Sequence, residues 1–96
     1  MSQTTDKAGR RALRQVIMHR LHRLHPHPQG EIMLFAGLPL AQSQADEYRT
    51  ELAALVSYGL IENLDEVEPV YRLSAEGLAQ ITRDVTRLDP RIWGVE

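Results

Sequence analysis

The segment of residues 43–73 constrains the fold of this chain more than any other. Its first half has apolar residues at the three- and four-residue spacing of one buried helix face: Ala45, Tyr48, Leu52, Leu55 and Val56. Ser43 is a candidate N-cap, and Asp46 follows three residues later, as in a capping box. Gly59 can take the positive φ that ends a helix. The pattern predicts one helix over residues 43–58.

Two short strands are predicted after this helix, at residues 60–64 and 69–73. In the second strand, Tyr71 and Leu73 lie on one face, which can be buried while the other face contacts water. Between the strands lie three acidic residues, whose repulsion and low strand propensity favour a solvated hairpin tip: Asp65, Glu66 and Glu68.

One helix is predicted on each side of this segment. The first runs from Thr5 or Asp6 to about His25, where Pro26 ends it. Its buried stripe consists of Leu13, Val16, Ile17, Leu21 and Leu24. The last helix is capped by Ser74. Its apolar seam consists of Leu78, Ile81, Val85 and Leu88.

Two strings of the sequence resemble a known family. The first is the end of the central helix with the residues that follow it: Leu52, Leu55, Gly59, Leu60 and Ile61. The second comprises residues 71–74 with Gly77 and Leu78. Together they resemble the winged-helix DNA-binding domains of bacterial regulators of the arsenic-repressor and multiple-antibiotic-resistance types. More narrowly, residues 12–82 are similar to a small winged-helix protein carried by Mu-like bacteriophages and prophages.

The resemblance implies a winged helix-turn-helix fold: three helices, a small antiparallel β-hairpin and a closing helix, hence mainly α within the α+β class. Residues 31–36 suit a short helix or a strand by periodicity, and the winged-helix order favours the helix. Residues 26–30 are expected to be a loop. Residues 1–96 fit one small domain. We expect residues 1–4 to be frayed and residues 91–96 to dock on the domain's own core or on a second copy.

The net charge of −2 is unevenly distributed. Residues 1–28 hold six basic residues and one acid, a balance of +5, whereas residues 29–96 hold five arginines and twelve acids, a balance of −7. Such asymmetry indicates a segment that faces nucleic acid or an acidic partner, or two faces that neutralise each other. The chain has no cysteine and no apolar run of membrane-spanning length, so we expect a cytoplasmic protein without disulfides.

No recognised catalytic arrangement is present, and we expect neither an enzyme nor a cofactor. His19, His22 and His25 have a spacing that can bind zinc or nickel, but no cysteine or nearby acid strengthens the set. The alternative is solvated or half-buried histidines beside a basic helix. We therefore predict no metal site.

The winged-helix resemblance implies DNA contacts from the central helix and the wing. The basic first helix is a further candidate, although a DNA-facing first helix is unusual. The candidate residues are Ser43, Gln44, Arg49, Thr50, Arg72, Arg10, Arg11 and Arg14. Gln44 suits adenine and Arg49 suits guanine or a phosphate. Asp46, Glu47 and the acidic hairpin tip oppose this hypothesis, because each would repel phosphates.

The leading prediction is a small DNA-binding transcriptional regulator of phage or prophage type. The alternative is a protein-interaction module, in which the acidic helix and wing contact a basic partner. A homodimer is expected through the first and last helices and the C-terminal residues, with candidate contacts at Trp93, Ile92, Leu88 and Leu13. For Trp93, packing in the chain's own core is the alternative.

Overall fold

A computed structural model describes residues 7–82 of the chain. Its elements in order are helix α1 (Lys7–Leu24), strand β1 (Gln29–Gly30), helix α2 (Glu31–Ala36), helix α3 (Ala45–Ser57), strands β2 (Ile61–Asn63) and β3 (Val70–Leu73), and helix α4 (Ala75–Ile81). The fold is mainly α with a small antiparallel sheet, which confirms the predicted α+β class. No helix within residues 7–82 combines the length and the hydrophobicity needed to cross a bilayer.

The sheet has three strands in the order β1-β3-β2, so the prediction of a two-stranded hairpin is wrong. β2 pairs with β3 as predicted, with Ile61 opposite Leu73. On the other edge of β3, β1 pairs with it, and Gln29 lies opposite Tyr71. β1 occupies the end of residues 26–30, which were predicted to be a loop. Two residues are too few to display the alternation of a strand, so only the contact with β3 defines β1.

The core lies between α1, α3 and the sheet. α1 contributes Leu13, Ile17, Met18 and Leu21, and α3 contributes Tyr48, Leu52 and Leu55. The sheet side adds Leu60, Ile61, Tyr71 and Leu73, and the α2 region adds Leu34 and Leu38. The predicted stripes are largely confirmed. The exceptions are Met18, which is fully buried, and four predicted residues that are only partly buried: Val16, Leu24, Ala45 and Val56.

The two ends of α3 differ in how well local rules predicted them. Gly59 has a φ of 82° and ends the helix as predicted. Ser43 is not the N-cap, because residues 42–44 form a 3₁₀ turn that leads into α3. That turn is closed by Gln44, whose N–H donates to the Ala41 carbonyl (2.9 Å) and whose Oε1 accepts from the Ala41 N–H (2.9 Å).

α4 begins at the predicted cap. Ser74 Oγ accepts a hydrogen bond from the Gly77 N–H (3.0 Å) and donates one to the Gly59 carbonyl (2.6 Å). A Cβ at Gly77 would overlap the carbonyl group of Leu60, so this glycine allows α4 to cross the start of β2. The predicted seam residues Leu78 and Ile81 pack against the core. Val85, Leu88 and the predicted cap at Thr5 or Asp6 lie outside the described residues.

Candidate binding surface

The outward face of α3 carries Arg49, the helix's single basic residue. Its side chain is 59% exposed, and it donates to Glu31 Oε2 (3.1 Å) and to Asp46 Oδ1 (3.2 Å). The neighbouring Thr50 hydroxyl donates to the Asp46 carbonyl (3.0 Å). Two carboxylates therefore offset the charge of Arg49, and the Thr50 proton is already bonded within the helix.

The other polar candidates at the start of α3 are Ser43 and Gln44. Ser43 is exposed in the 3₁₀ turn, whereas Gln44 is half-buried and its side-chain oxygen bonds the Ala41 N–H. Reading adenine requires both ends of a side-chain amide. The oxygen of Gln44 is committed to local structure.

Arg72 of β3 faces Glu62 of β2 across the sheet. Its Nε and Nη2 atoms donate to the same carboxylate oxygen, at 3.0 and 2.8 Å. Both side chains are about one-third or more exposed, so this is a surface ion pair. Arg72 therefore has a counter-charge before any phosphate approaches.

Arg14 and Glu51 form a buried ion pair between α1 and α3, with side chains 1% and 2% exposed. Arg14 Nε lies 2.6 Å from Glu51 Oε1, and Arg10 Nε lies 3.0 Å from Oε2. The Arg14 guanidinium carbon also lies 5.3 Å from the centre of the Tyr58 ring. Arg14 therefore belongs to the interior of the domain, which corrects its predicted place on a DNA-contacting surface.

The remaining candidates of α1, and His25 just after it, are partly or fully exposed. Arg11 is half-buried, and its Nε atom has no hydrogen-bond partner. His19 and His22 are exposed, while His25 is half-buried with an unpartnered Nδ1 atom. Within the described part of the chain, no three His, Cys, Asp or Glu side chains are grouped as a metal ion would require.

Most of the predicted dimer contacts lie outside residues 7–82, namely Leu88, Ile92 and Trp93, together with the docking of residues 91–96. Leu13 is described, is 7% exposed, and packs in the core of its own chain. The homodimer stays a prediction.

Side-chain oxygens hold the backbone of the β2–β3 loop (residues 64–69). Asn63 Oδ1 accepts from the N–H groups of Asp65 (3.2 Å) and Val70 (3.1 Å). Asp65 Oδ1 accepts from the Val67 N–H (2.9 Å). With its backbone bonded in this way, the loop presents Val67 to solvent, 88% exposed. The acidic composition of the loop was predicted, but this apolar tip was not.

A second exposed apolar group lies on α2, next to the loop. Ile32 is 81% and Met33 is 63% exposed, and both line one surface groove with Val67 and Pro69. We call Ile32, Met33, Val67 and Pro69 the α2–loop patch. Sequence reasoning missed it because five apolar residues follow one another in α2, so periodicity does not indicate which of them face the core.

Glu31 lies at the edge of this patch and joins it to α3. Its backbone carbonyl accepts from the Tyr48 hydroxyl (2.8 Å), and its carboxylate binds Arg49. Burial, and then the charge of Glu31, raises the pKa of Tyr48. The same causes raise the pKa of Tyr71, which also bonds the Glu31 side chain. Both phenols are therefore neutral hydrogen-bond donors at physiological pH.

The charges of the described residues are segregated. Residues 7–28 hold six basic residues and no acid, while residues 29–82 hold nine acids and two arginines, a balance of −7.

No protein-family model, no curated protein and no solved structure matches this chain. What its surface can bind therefore follows from the chemistry of these residues.

Proposed function

We propose that this chain is a winged-helix domain that acts by binding another protein. The order α1-β1-α2-α3-β2-β3-α4 supports the winged-helix assignment, since each element of that fold has a counterpart here. Further support comes from the sheet order β1-β3-β2, in which β2 and β3 are neighbours and the exposed loop between them corresponds to the wing. In this assignment α3 corresponds to the recognition helix.

The α2–loop patch is the observation that carries the protein-binding role. Fully burying one Ile or Val side chain contributes about 1.5–3 kcal/mol, and here Ile32 and Val67 are almost fully exposed. Isolated exposed apolar residues are common on protein surfaces, but a contiguous group is typical of an interaction site. Phosphates and sugars offer little apolar surface, so a protein is the more suitable partner.

The charges of α3 and the loop favour the same conclusion. DNA binding gains most of its free energy when lysine and arginine side chains replace counterions at phosphates. Arg49 and Arg72 are both bound to carboxylates. Within the described residues, no basic group lies within ion-pair distance of Glu66 or Glu68, so their charges would repel a phosphate backbone.

DNA binding is the second candidate, and one observation favours it. α1 contains no acidic residue, and its exposed side presents His19, His22 and Arg23. This basic strip would have to supply the phosphate contacts that α3 and the loop lack. A DNA-binding regulator of this kind would use its first helix, as the charge asymmetry of the sequence also suggests.

A titration of labelled mixed-sequence duplex DNA, followed by fluorescence anisotropy at low and at physiological salt, decides between the two candidates. We expect no saturable binding at either salt concentration. Binding that weakens steeply with salt and is lost in Arg23→Glu would contradict the proposal and establish α1 as a DNA-contacting helix. Loss of such binding in Arg49→Ala would instead establish α3 as the DNA-contacting helix. Ala53→Ser is the control, because Ala53 is exposed on the same face of α3.

A further inference from the structure

Ile32 separates two open grooves on the surface of the domain. The first, of about 490 Å³, lies between α2 and α3. Its larger apolar lining residues are Ile32, Phe35, Leu38, Leu40 and Tyr48. The second, of about 460 Å³, lies between α2 and the β2–β3 loop and is lined by the α2–loop patch with Gly30. Glu31 and Ile32 line both grooves, so an occupant of one groove lies next to an occupant of the other.

The walls of both grooves are held by bonded groups. The Phe35 and Tyr48 rings pack 4.9 Å apart, and the Tyr48 hydroxyl is bonded to the Glu31 carbonyl. On the other side, Asn63 and Asp65 bond the loop backbone. A partner would therefore meet a surface that is largely formed before binding, which lowers the entropy cost of association.

Acidic residues flank this apolar surface on the side of the β2–β3 loop, whereas Glu31 and Arg49 line the first groove. Glu68 lines the second groove, and Asp65 and Glu66 precede it in the same exposed loop. All three side chains are exposed, and none of them forms an ion pair with a cation within residues 7–82. Asp65 also accepts backbone hydrogen bonds, so Glu66 and Glu68 are the carboxylates that we expect to face a partner. Glu31 differs, because Arg49 already offsets its charge.

Within residues 7–82, a second copy of this chain offers no suitable occupant for the patch. Pairing the patch with itself about a two-fold axis would bring Glu66 and Glu68 of both copies together, and like charges across an interface are unfavourable. Docking α1 of a second copy would supply positive charge, but its exposed side presents Ala12, His19 and Arg23, with no large apolar side chain to fill a groove.

We infer that the two grooves bind a basic segment of a different protein, which inserts one apolar side chain on each side of Ile32. Lysine or arginine residues of that segment pair with Glu68 and its acidic neighbours. This inference rests on the proposed function and adds the chemistry of the partner. The apolar side chains give affinity, and the charges exclude acidic or neutral competitors.

Three synthetic peptides test the inference. The first is an amphipathic helix of lysine and leucine, the second has the same composition with the leucines scattered around the helix, and the third replaces lysine with glutamate. We expect saturable one-to-one binding of the first, at least about tenfold weaker binding of the second, and none of the third. In ¹H–¹⁵N spectra the shifts should centre on α2 and the β2–β3 loop.

Matched variants locate the site. Ile32→Ser and Val67→Ser should each weaken binding of the first peptide by about tenfold, because each removes an exposed apolar lining residue. Leu64→Ser is the control, since Leu64 is 46% exposed on the same loop but lines neither groove. Glu68→Gln should weaken binding more than Glu76→Gln does, because Glu68 lines the second groove whereas Glu76 lies on α4.

Absence of saturable binding overturns the inference, and so does binding that Ile32→Ser and Val67→Ser leave unchanged. The latter result would leave a protein-binding role intact, because the peptide would occupy another surface. Self-association of the wild-type chain that Ile32→Ser abolishes would overturn the inference in favour of a second copy. Failure of the proposed function itself has a separate signature, which is salt-dependent binding in the DNA titration.

Discussion

Arg14 and Glu51 bring opposite charges into the core between α1 and α3. Both Glu51 oxygens are bonded to guanidinium groups, at 2.6 Å from Arg14 and 3.0 Å from Arg10. Removing charges from water is costly, and the interior recovers that cost only when both partners stay paired. The network therefore joins α1 to α3, while contributing less net stability than its short distances suggest.

Glu51→Gln should destabilise the domain by about 3–5 kcal/mol, because it leaves two guanidinium groups facing a neutral amide in a buried position. Equilibrium urea unfolding measures the change. Glu62→Gln is the control, since it breaks the partly exposed pair with Arg72 and should cost about 1 kcal/mol or less. Equal costs for the two variants would contradict a buried role for Glu51.

The sequence contained a signal for this pair. Glu51 follows Tyr48 by three residues and precedes Leu55 by four, so helical spacing puts it on the buried stripe of α3. Arg14 precedes Ile17 by three residues and lies on the stripe of α1 in the same way. The predicted stripe of α1 included apolar residues only, so Arg14 was assigned to the surface. Opposite charges on two buried stripes would have predicted an ion pair in the core.

At the scale of elements, the features set by local chemistry were predictable. Gly59 ended α3 and Ser74 capped α4 because positive φ and N-cap bonding depend on a few neighbouring residues. Ser43 is not the cap because it lies inside the 3₁₀ turn that precedes α3. β1 was missed because its pairing partner, β3, is distant in sequence. Both errors concern geometry that the rest of the fold imposes.

Gly77→Ala tests the crossing of α4 over β2. The added methyl group would overlap the Leu60 carbonyl, which cannot move without shifting the start of β2, so we expect a loss of about 2–3 kcal/mol in unfolding free energy. In Gly37→Ala the methyl group would instead meet the Arg20 guanidinium, at 2.9 Å, and that side chain can rotate away. A Gly77→Ala variant as stable as Gly37→Ala would mean that α4 does not cross β2 this closely.

At the scale of the whole molecule, the described residues place negative charge and exposed apolar side chains together, at the α2–loop patch. The sequence predicted the acidic hairpin tip and the basic first helix, because both are contiguous runs. It did not predict that Ile32 and Met33 point away from the core, since that depends on how the six residues of α2 meet α1 and α3. An acidic margin around an exposed apolar patch limits self-association while leaving the patch accessible to a basic partner.

We expect the acidic residues beside the α2–loop patch to limit self-association of the chain. Glu66→Gln/Glu68→Gln removes two negative charges beside the α2–loop patch, so two copies can then pair through their apolar residues without like-charge repulsion. We expect sedimentation velocity over a wide concentration range to give a larger mass for this double variant than for the wild-type chain. Adding Ile32→Ser should restore the wild-type mass, because it removes the most exposed apolar residue of α2. Glu47→Gln/Glu76→Gln makes the same change in net charge away from the patch, and an equal gain in mass there would assign the effect to net charge instead of to this surface.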